Sequence, residues 1–189
     1  MIVVWIILAV VVLLGLFVLA TYNGLVRLNI KTEEALSDIT VQMKRRFDLI
    51  PNLVSTIKGY AKHEKSVFEN VTKARTAAMA AGKGDLSKRA AADNMLSDTL
   101  KSLFAVAENY PDLKANENFL KLQQELSETE DKIQASRRFY NGNVRDFNSK
   151  LLVFPTNIFG NMLGFKSKAF FDVEEGEKAE VSKAPKVDL

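Results

Sequence analysis

Cysteine is absent from the 189 residues, and histidine occurs once, at His63. The first absence removes disulfides and thiolate chemistry and fits any redox compartment. The second removes most metal and acid–base sets. A His-Glu-x-x-His zinc site needs a second histidine, and in "KHEKSV" that position is Val67. A di-iron bundle needs Glu-x-x-His on two helices. A Ser–His–acid triad built on His63 has no nucleophile elbow or Gly-rich oxyanion loop beside it. Gly82-x-Gly84 falls far short of a phosphate loop. His63 therefore reads as a surface or helix-edge residue. No enzyme, metal or cofactor is expected. Basic and acidic residues nearly balance, 26 against 23, as on a solvated helical surface and unlike a nucleic-acid footprint.

Strand signals are also missing. No stretch of 4–8 residues alternates convincingly, whereas apolar residues recur at three- and four-residue steps from Leu25 onward. Four stripes follow: Leu25 to Phe47, Ile50 to Ala78, Leu86 to Ala107, and Phe119 to Leu151. "GKGD" at 82 to 85 supplies a Gly stop and an Asp N-cap, and "NYPDLK" at 109 to 114 holds a proline unsuited to a helix interior. "FDLIPNL" at 47 to 53 has two readings. Asp48 caps a new helix with Pro51 in its first turn, or Pro51 kinks one long helix. A corner at 48 to 51 gives four helices of roughly 25 to 37 residues, about 38 to 55 Å each, and antiparallel bundles need helices of similar length. The expectation is thus all-α, an antiparallel up-and-down four-helix bundle with the corner at Pro51.

Ahead of the bundle, residues 2 to 20 carry no charge. With its flanks the run spans roughly the 30 Å hydrocarbon core of a bilayer as a helix. It is too long for a signal-peptide apolar region, and Met1-Ile2 offers no basic n-region, so a retained transmembrane anchor is expected over 1–22. Basic residues Arg27, Lys31, Lys44, Arg45 and Arg46 follow the span and none precedes it, which favours a bundle on the cytoplasmic side. The bundle is expected over 23–152, a Phe-rich segment over 153–172, and a disordered charged tail over 173–189.

Arg46, Glu64, Glu130 and Arg137 fall on or beside the stripes. Either they snorkel at the stripe edges, or they form an internal polar network, since a buried charge must be paired. Asn-Gly, a strong hairpin signal, occurs in "YNGLVR" at 22 and in "YNGNVRDFN" at 140. Both copies lie inside helical stripes, where Gly costs about 1 kcal/mol relative to Ala. They read as helix, with Tyr22 or Asn23 touching the end of the fourth helix.

"YNGLVRL", "VQMKRRFDLIPNLV", "IKGYAKHE", "VTKART", "ENYPDLKANENFLKLQQELSETEDKI", "RRFYNGNVRDFN" and "FPTNIFG…GFKSKAFF", in that order over about 21 to 172, closely resemble the bacterial LemA family. The resemblance implies one N-terminal span, an antiparallel four-helix bundle, residence in the bacterial cytoplasmic membrane, and no established biochemical activity. It implies by gene association a membrane zinc protease of the HtpX type as a neighbour in envelope protein quality control. Asn29-Ile30 stands where the family pattern often has Arg-Asn, Thr40 where an acidic residue often precedes the "VQLKRR" block, and Met43 where it has Leu.

In the expected topology, Lys44, Arg45, Arg46, Asp48, Pro51 and Asn52 gather with Pro111, Asp112 and Lys114 at the membrane-distal tip as a partner surface. The Phe-rich segment returns to the bilayer or packs over the base of the bundle. At the bilayer, Phe154, Phe159, Phe165, Phe170 and Phe171 sit in the interface and Lys166 and Lys168 meet anionic headgroups. The functional expectation is a non-enzymatic, membrane-tethered scaffold or adaptor for other envelope membrane proteins. The alternative is a homo-oligomer that organises or shapes the membrane. Nucleic acid is not an expected partner.

Overall fold

The computed structural model describes residues 1–61, 63–82 and 84–172, and the expected tail over 173–189 lies outside the described residues. The described residues are helical, with no strand among them. The helices are α1 (Ile2–Lys58), α2 (Lys65–Ala81), α3 (Leu86–Ala107), α4 (Pro111–Lys114), α5 (Glu117–Leu152) and α6 (Thr156–Met162).

The largest departure from the sequence reading is at Pro51. No corner forms there; α1 is one helix of 57 residues that continues through the proline to Lys58. A proline inside a helix withholds the N–H that the carbonyl four residues earlier needs. That carbonyl belongs to Phe47, and it accepts a hydrogen bond from Arg75 Nε of α2 at 2.8 Å. The guanidinium replaces the missing amide, so the helix persists. The corner falls at 59 to 64 instead, where the N–H groups of Tyr60 and Ala61 both donate to the Ile57 carbonyl at 2.9 Å.

The other punctuation lies where expected. Gly82 follows the last residue of α2, and Asp85 precedes α3 with an extended backbone, although its side chain makes no capping bond. Pro111 opens α4, where its missing N–H is harmless. Asn116 caps α5: its Oδ1 accepts the Phe119 N–H at 3.0 Å. Both Asn-Gly pairs are helical, in α1 and α5.

Among the described residues the chain divides into two compact units, residues 1–38 with 136–169, and residues 39–135 with 170–172. In the first, Leu25 of α1 packs with Phe147 and Leu151 of α5, with Leu28 and Phe165 against them. Residues 2 to 20 of α1 expose their apolar side chains, and α1 is long and apolar enough there to cross a membrane. In the second unit, Ile39, Met43, Ile50, Leu53 and Ile57 of α1 are buried, as are Val71 and Ala78 of α2, Leu96 and Leu103 of α3, and Phe119, Leu126 and Ile133 of α5. Helices α2 and α3 pack on each other. The Asn116 amide nitrogen donates to the Tyr60 hydroxyl at 3.0 Å, joining the 59–64 corner to the start of α5.

Candidate functional site

Arg46 lies on the apolar stripe of α1, flanked by Met43 and Ile50 at three- and four-residue spacing, so the helix carries its guanidinium inward. It is 1% exposed. Its Nη1 meets Asp93 Oδ1 of α3 at 3.1 Å and Glu130 Oε2 of α5 at 2.9 Å, and its Nη2 donates to Ser97 Oγ. Asp93 is as buried as Arg46, whereas Glu130 is 36% exposed. One turn before Asp93, Arg89 is also buried; its Nη2 donates to Thr40 Oγ1 at 2.7 Å and its guanidinium lies 5.8 Å from the Phe171 ring centre. Burial lowers the Arg89 pKa, and the Asp93 carboxylate partly offsets that. Two arginines and two carboxylates form a charge-balanced network, which burial requires. Arg46 and Glu130 thus follow the network reading. Glu64 and Arg137 are half-buried.

Beside this network, α3 and α5 flank a cleft of about 550 Å³. Leu100, Phe104 and Leu126 are its apolar lining; Asn94, Ser97, Asp98, Lys101, Gln123, Ser127, Glu130, Asp131 and Gln134 are its polar lining, with Arg46 at its inner wall. Lys101 is paired with Asp98 at 2.9 Å. With Arg46 also committed, the free charge of the rim is acidic. No group of three or more His, Cys, Asp or Glu among the described residues is placed to hold a metal. His63 is exposed in the 59–64 corner.

The expected tip surface is not assembled as one patch. Lys44, Arg45, Asp48, Pro51 and Asn52 are exposed on α1, but they precede the corner by about two to four helical turns because α1 runs on to Lys58. Arg46 faces inward and leaves that surface altogether. Pro111, Asp112 and Lys114 are exposed on α4. The α3–α5 cleft was not visible in the sequence; the only signal was the clustering of Asn, Gln, Ser and acidic residues between the apolar positions of 94 to 101 and 123 to 134.

In the first unit, the Phe-rich segment has a defined path. After α6 the chain turns at Gly164, whose φ of +82° suits glycine alone. There the Phe165 N–H donates to the Gly160 carbonyl and the Gly164 N–H to the Asn161 carbonyl, a Schellman closure. The following residues lie along α5 and are clamped to it. Asn148 accepts the Lys168 N–H at 2.8 Å and donates to the Lys168 carbonyl at 2.9 Å. Two turns earlier, the Tyr140 hydroxyl donates to the Ala169 carbonyl at 2.9 Å.

This strap corrects several expected membrane contacts. Phe171 is 3% exposed and is spent on Arg89. Lys168 is largely covered, with its Nζ 3.7 Å from Glu33 and 5.7 Å from the Phe147 ring centre, so it is committed within the protein. Phe165 is half-buried against Tyr22 and Phe147, with ring centres at 6.0 and 6.3 Å. Phe159 packs edge-on against Phe17 at 5.8 Å. Phe154, Lys166 and Phe170 are exposed. The expected contact of Tyr22 with the end of α5 is made instead to Phe165, while Gly24 lies against the Lys150 side chain of α5.

The clamp gives a pH-dependent expectation. Burial raises the Tyr140 pKa. A raised folded-state value means its stabilisation is complete below the unfolded tyrosine value of about 10 and is lost as pH climbs through the folded value. Tyr140→Phe is therefore expected to lower stability at pH 7 by about 1 kcal/mol and to flatten the alkaline limb above about pH 10. Denaturant midpoints of both proteins from pH 7 to 11 check this; parallel alkaline limbs contradict it.

Comparison with known proteins agrees with the sequence resemblance. The LemA family model matches residues 35–189. Magnetosome protein MamQ 2 of Paramagnetospirillum magneticum is 28% identical over 177 residues, covering 81% of this chain and 65% of that protein. Protein LemA of Metamycoplasma hominis is 29% identical over 161 residues, covering 84% of this chain and 72% of that protein. The chain thus spans just under two thirds of the length of the magnetosome relative. Since the family match extends over most of the sequence, including every residue of the Arg46 network and the clamp, the chain belongs to the LemA family.

Proposed function

We propose that this protein is a non-enzymatic, membrane-tethered helical scaffold of the bacterial inner membrane that holds a helix of another envelope protein in the α3–α5 cleft. The single observation that carries the reading is the cleft itself, apolar at Leu100, Phe104 and Leu126, rimmed by polar and acidic side chains, and backed by a closed charge network. An amphipathic helix fits such a groove by its apolar face. Asp98 and Glu130 are matched by Lys101 and Arg46, which leaves Asp131 as the uncompensated rim charge and favours a basic residue on the flank of that helix. The overall arrangement we favour is an antiparallel four-helix bundle of α1, α2, α3 and α5, supported by the alternation of long helices with short corners. The exposed residues Lys44, Arg45, Asp48, Pro51 and Asn52 form a second partner surface in this reading, and Pro111, Asp112 and Lys114 a third. The bundle faces the cytoplasm, in line with the basic residues that follow the span. Family resemblance points to an HtpX-type protease in envelope quality control as the first neighbour to examine.

Charge reversal tests the cleft. In the full chain, Asp131→Lys combined with Gln134→Lys is expected to remove the neighbours recovered by crosslinking and affinity purification from intact membranes. Both residues are exposed, so unfolding should shift by no more than about 0.5 kcal/mol. Unchanged neighbours would contradict docking in the cleft. Recovery of this chain alone would favour a homo-oligomer that organises the membrane.

A further inference from the structure

We infer that α6 and its flanks form a re-entrant hairpin that enters the hydrocarbon of one leaflet beside the α1 span, with lipid acyl chains as its ligand. Residues 151 to 165 contain no charged side chain, and Lys150 and Lys166 bracket them. Within that stretch Leu152, Val153, Phe154, Ile158 and Met162 are exposed, Phe154 by 75% and Met162 by 79%. A contiguous apolar surface of this kind is unusual on a domain surrounded by water.

Its position decides what covers it. Phe154, Ile158 and Phe159 line a groove together with Val10, Leu14 and Phe17 of α1, residues inside the charge-free span. Whatever surrounds the span at that depth also surrounds the hairpin. At about 1.5 Å per helical residue, Val10 lies roughly 16 Å from Thr21, about half of the ~30 Å hydrocarbon core. The hairpin therefore reaches toward the bilayer midplane without crossing it. In this inference the interface contact expected from the sequence becomes a deeper one, in which Phe154 and Phe159 are joined by Ile158.

Two features make that depth tolerable. Lipid hydrocarbon offers no hydrogen-bond partners, so backbone groups there must pair internally. Several do: the N–H groups of Val153, Asn157 and Ile158 donate back to Ser149, Val153 and Pro155, and the Schellman closure takes those of Gly164 and Phe165. The hairpin is also seated firmly, because Gly160 is buried at a point where any side chain would collide with Leu151 Cδ1. Lys150 and Lys166 then mark the headgroup level, where cationic side chains meet lipid phosphate. The inference depends on α1 spanning the bilayer and is independent of the scaffold reading.

The absence of cysteine makes the test direct, since each introduced thiol is unique. Full-length Leu14→Cys, Asp146→Cys, Ile158→Cys and Met162→Cys variants are placed, one copy per nanodisc, in a phosphatidylcholine and phosphatidylglycerol bilayer. Each reacts with a membrane-impermeant maleimide, or carries a fluorophore exposed to doxyl-labelled lipids. Positions 158 and 162 are expected to react at least tenfold more slowly than exposed 146, and to be quenched by acyl-chain doxyl groups as strongly as position 14. Reaction at 158 and 162 as fast as at 146, with 14 protected, overturns the hairpin and leaves the anchor intact. Fast reaction at 14 as well overturns the inference at its premise. Protection in cells but not in nanodiscs shows that protein covers the hairpin in place of lipid, which also overturns it. None of these outcomes bears on crosslinks from the α3–α5 cleft.

Discussion

Arg46→Met in the full chain is expected to destabilise the protein by about 3–5 kcal/mol, the largest effect of any substitution outside the apolar core. The size comes from what is left behind more than from the attraction lost. Asp93 is 1% exposed, and without the guanidinium it is a buried carboxylate whose remaining cation, Arg89, is already bonded to Thr40 and stacked on Phe171. Arg46→Lys does not rescue it, because one ammonium cannot reach Asp93, Glu130 and Ser97 together from the geometry a guanidinium provides. Removing both charges behaves differently. The Arg46→Met, Asp93→Leu double variant is expected to recover at least half of the loss, since a packed apolar pair carries no desolvation penalty. Chemical denaturation in detergent reads all three. A loss below about 1 kcal/mol for Arg46→Met, or equal losses for single and double variants, contradicts the network.

The second large effect is the coupling of Pro51 to Arg75. Arg75→Met leaves the Phe47 carbonyl without a donor inside the protein, a loss of about 1–3 kcal/mol. Pro51→Ala restores the amide that a helix would ordinarily supply, and helix propensity alone favours the change by up to about 3 kcal/mol. In the Pro51→Ala background Arg75→Met should therefore cost little. The expected coupling energy is about 1–2 kcal/mol, measured as a double-mutant cycle on denaturant midpoints. Additive effects would mean that the guanidinium does not stand in for the missing N–H.

This pair also explains where the sequence misled. Proline restricts its own backbone and removes a bond from another residue, and both consequences are local enough to suggest a corner at 48 to 51. The remedy lies 28 residues away on α2 and has no local signature. Moving the corner to 59–64 dispersed the expected tip surface and shifted burial at the start of α2 from Val67 to Phe68. Periodicity fared better. Leu25, Ile39, Ile57, Val71, Leu96, Leu103, Ile133, Val144 and Phe147 are all buried as their three- and four-residue spacing predicted, because a helix has only one way to turn a stripe inward.

The candidate site was legible in part. A charge on an apolar stripe is conspicuous, and Arg46 with Glu130 was visible as a choice between network and edge. Asp93 was not marked, although it stands three residues from both Ala90 and Leu96 on the same helical face, and the packing of α3 brings it to Arg46. Thr40 was marked as a departure from the family's acidic residue; here its hydroxyl accepts from Arg89 Nη2 at 2.7 Å. Of the two Asn-Gly pairs, Gly24 lies against Lys150 and Gly142 faces open space, which shows that one motif serves two unrelated settings. The strap was hidden because Tyr140 and Asn148 bind backbone atoms, and backbone acceptors leave no residue-type signal.

The scaffold reading is tested most directly by photocrosslinking in living cells from the cleft. A photoreactive side chain at Gln123 or Ser127, both exposed cleft residues, is compared with one at Lys121, exposed on α5 and absent from the cleft lining. The account predicts a discrete adduct with another envelope protein from positions 123 and 127, none from 121, and loss of that adduct in the Asp131→Lys, Gln134→Lys variant. Adducts containing only a second copy of this chain, or identical adducts from all three positions, would contradict it.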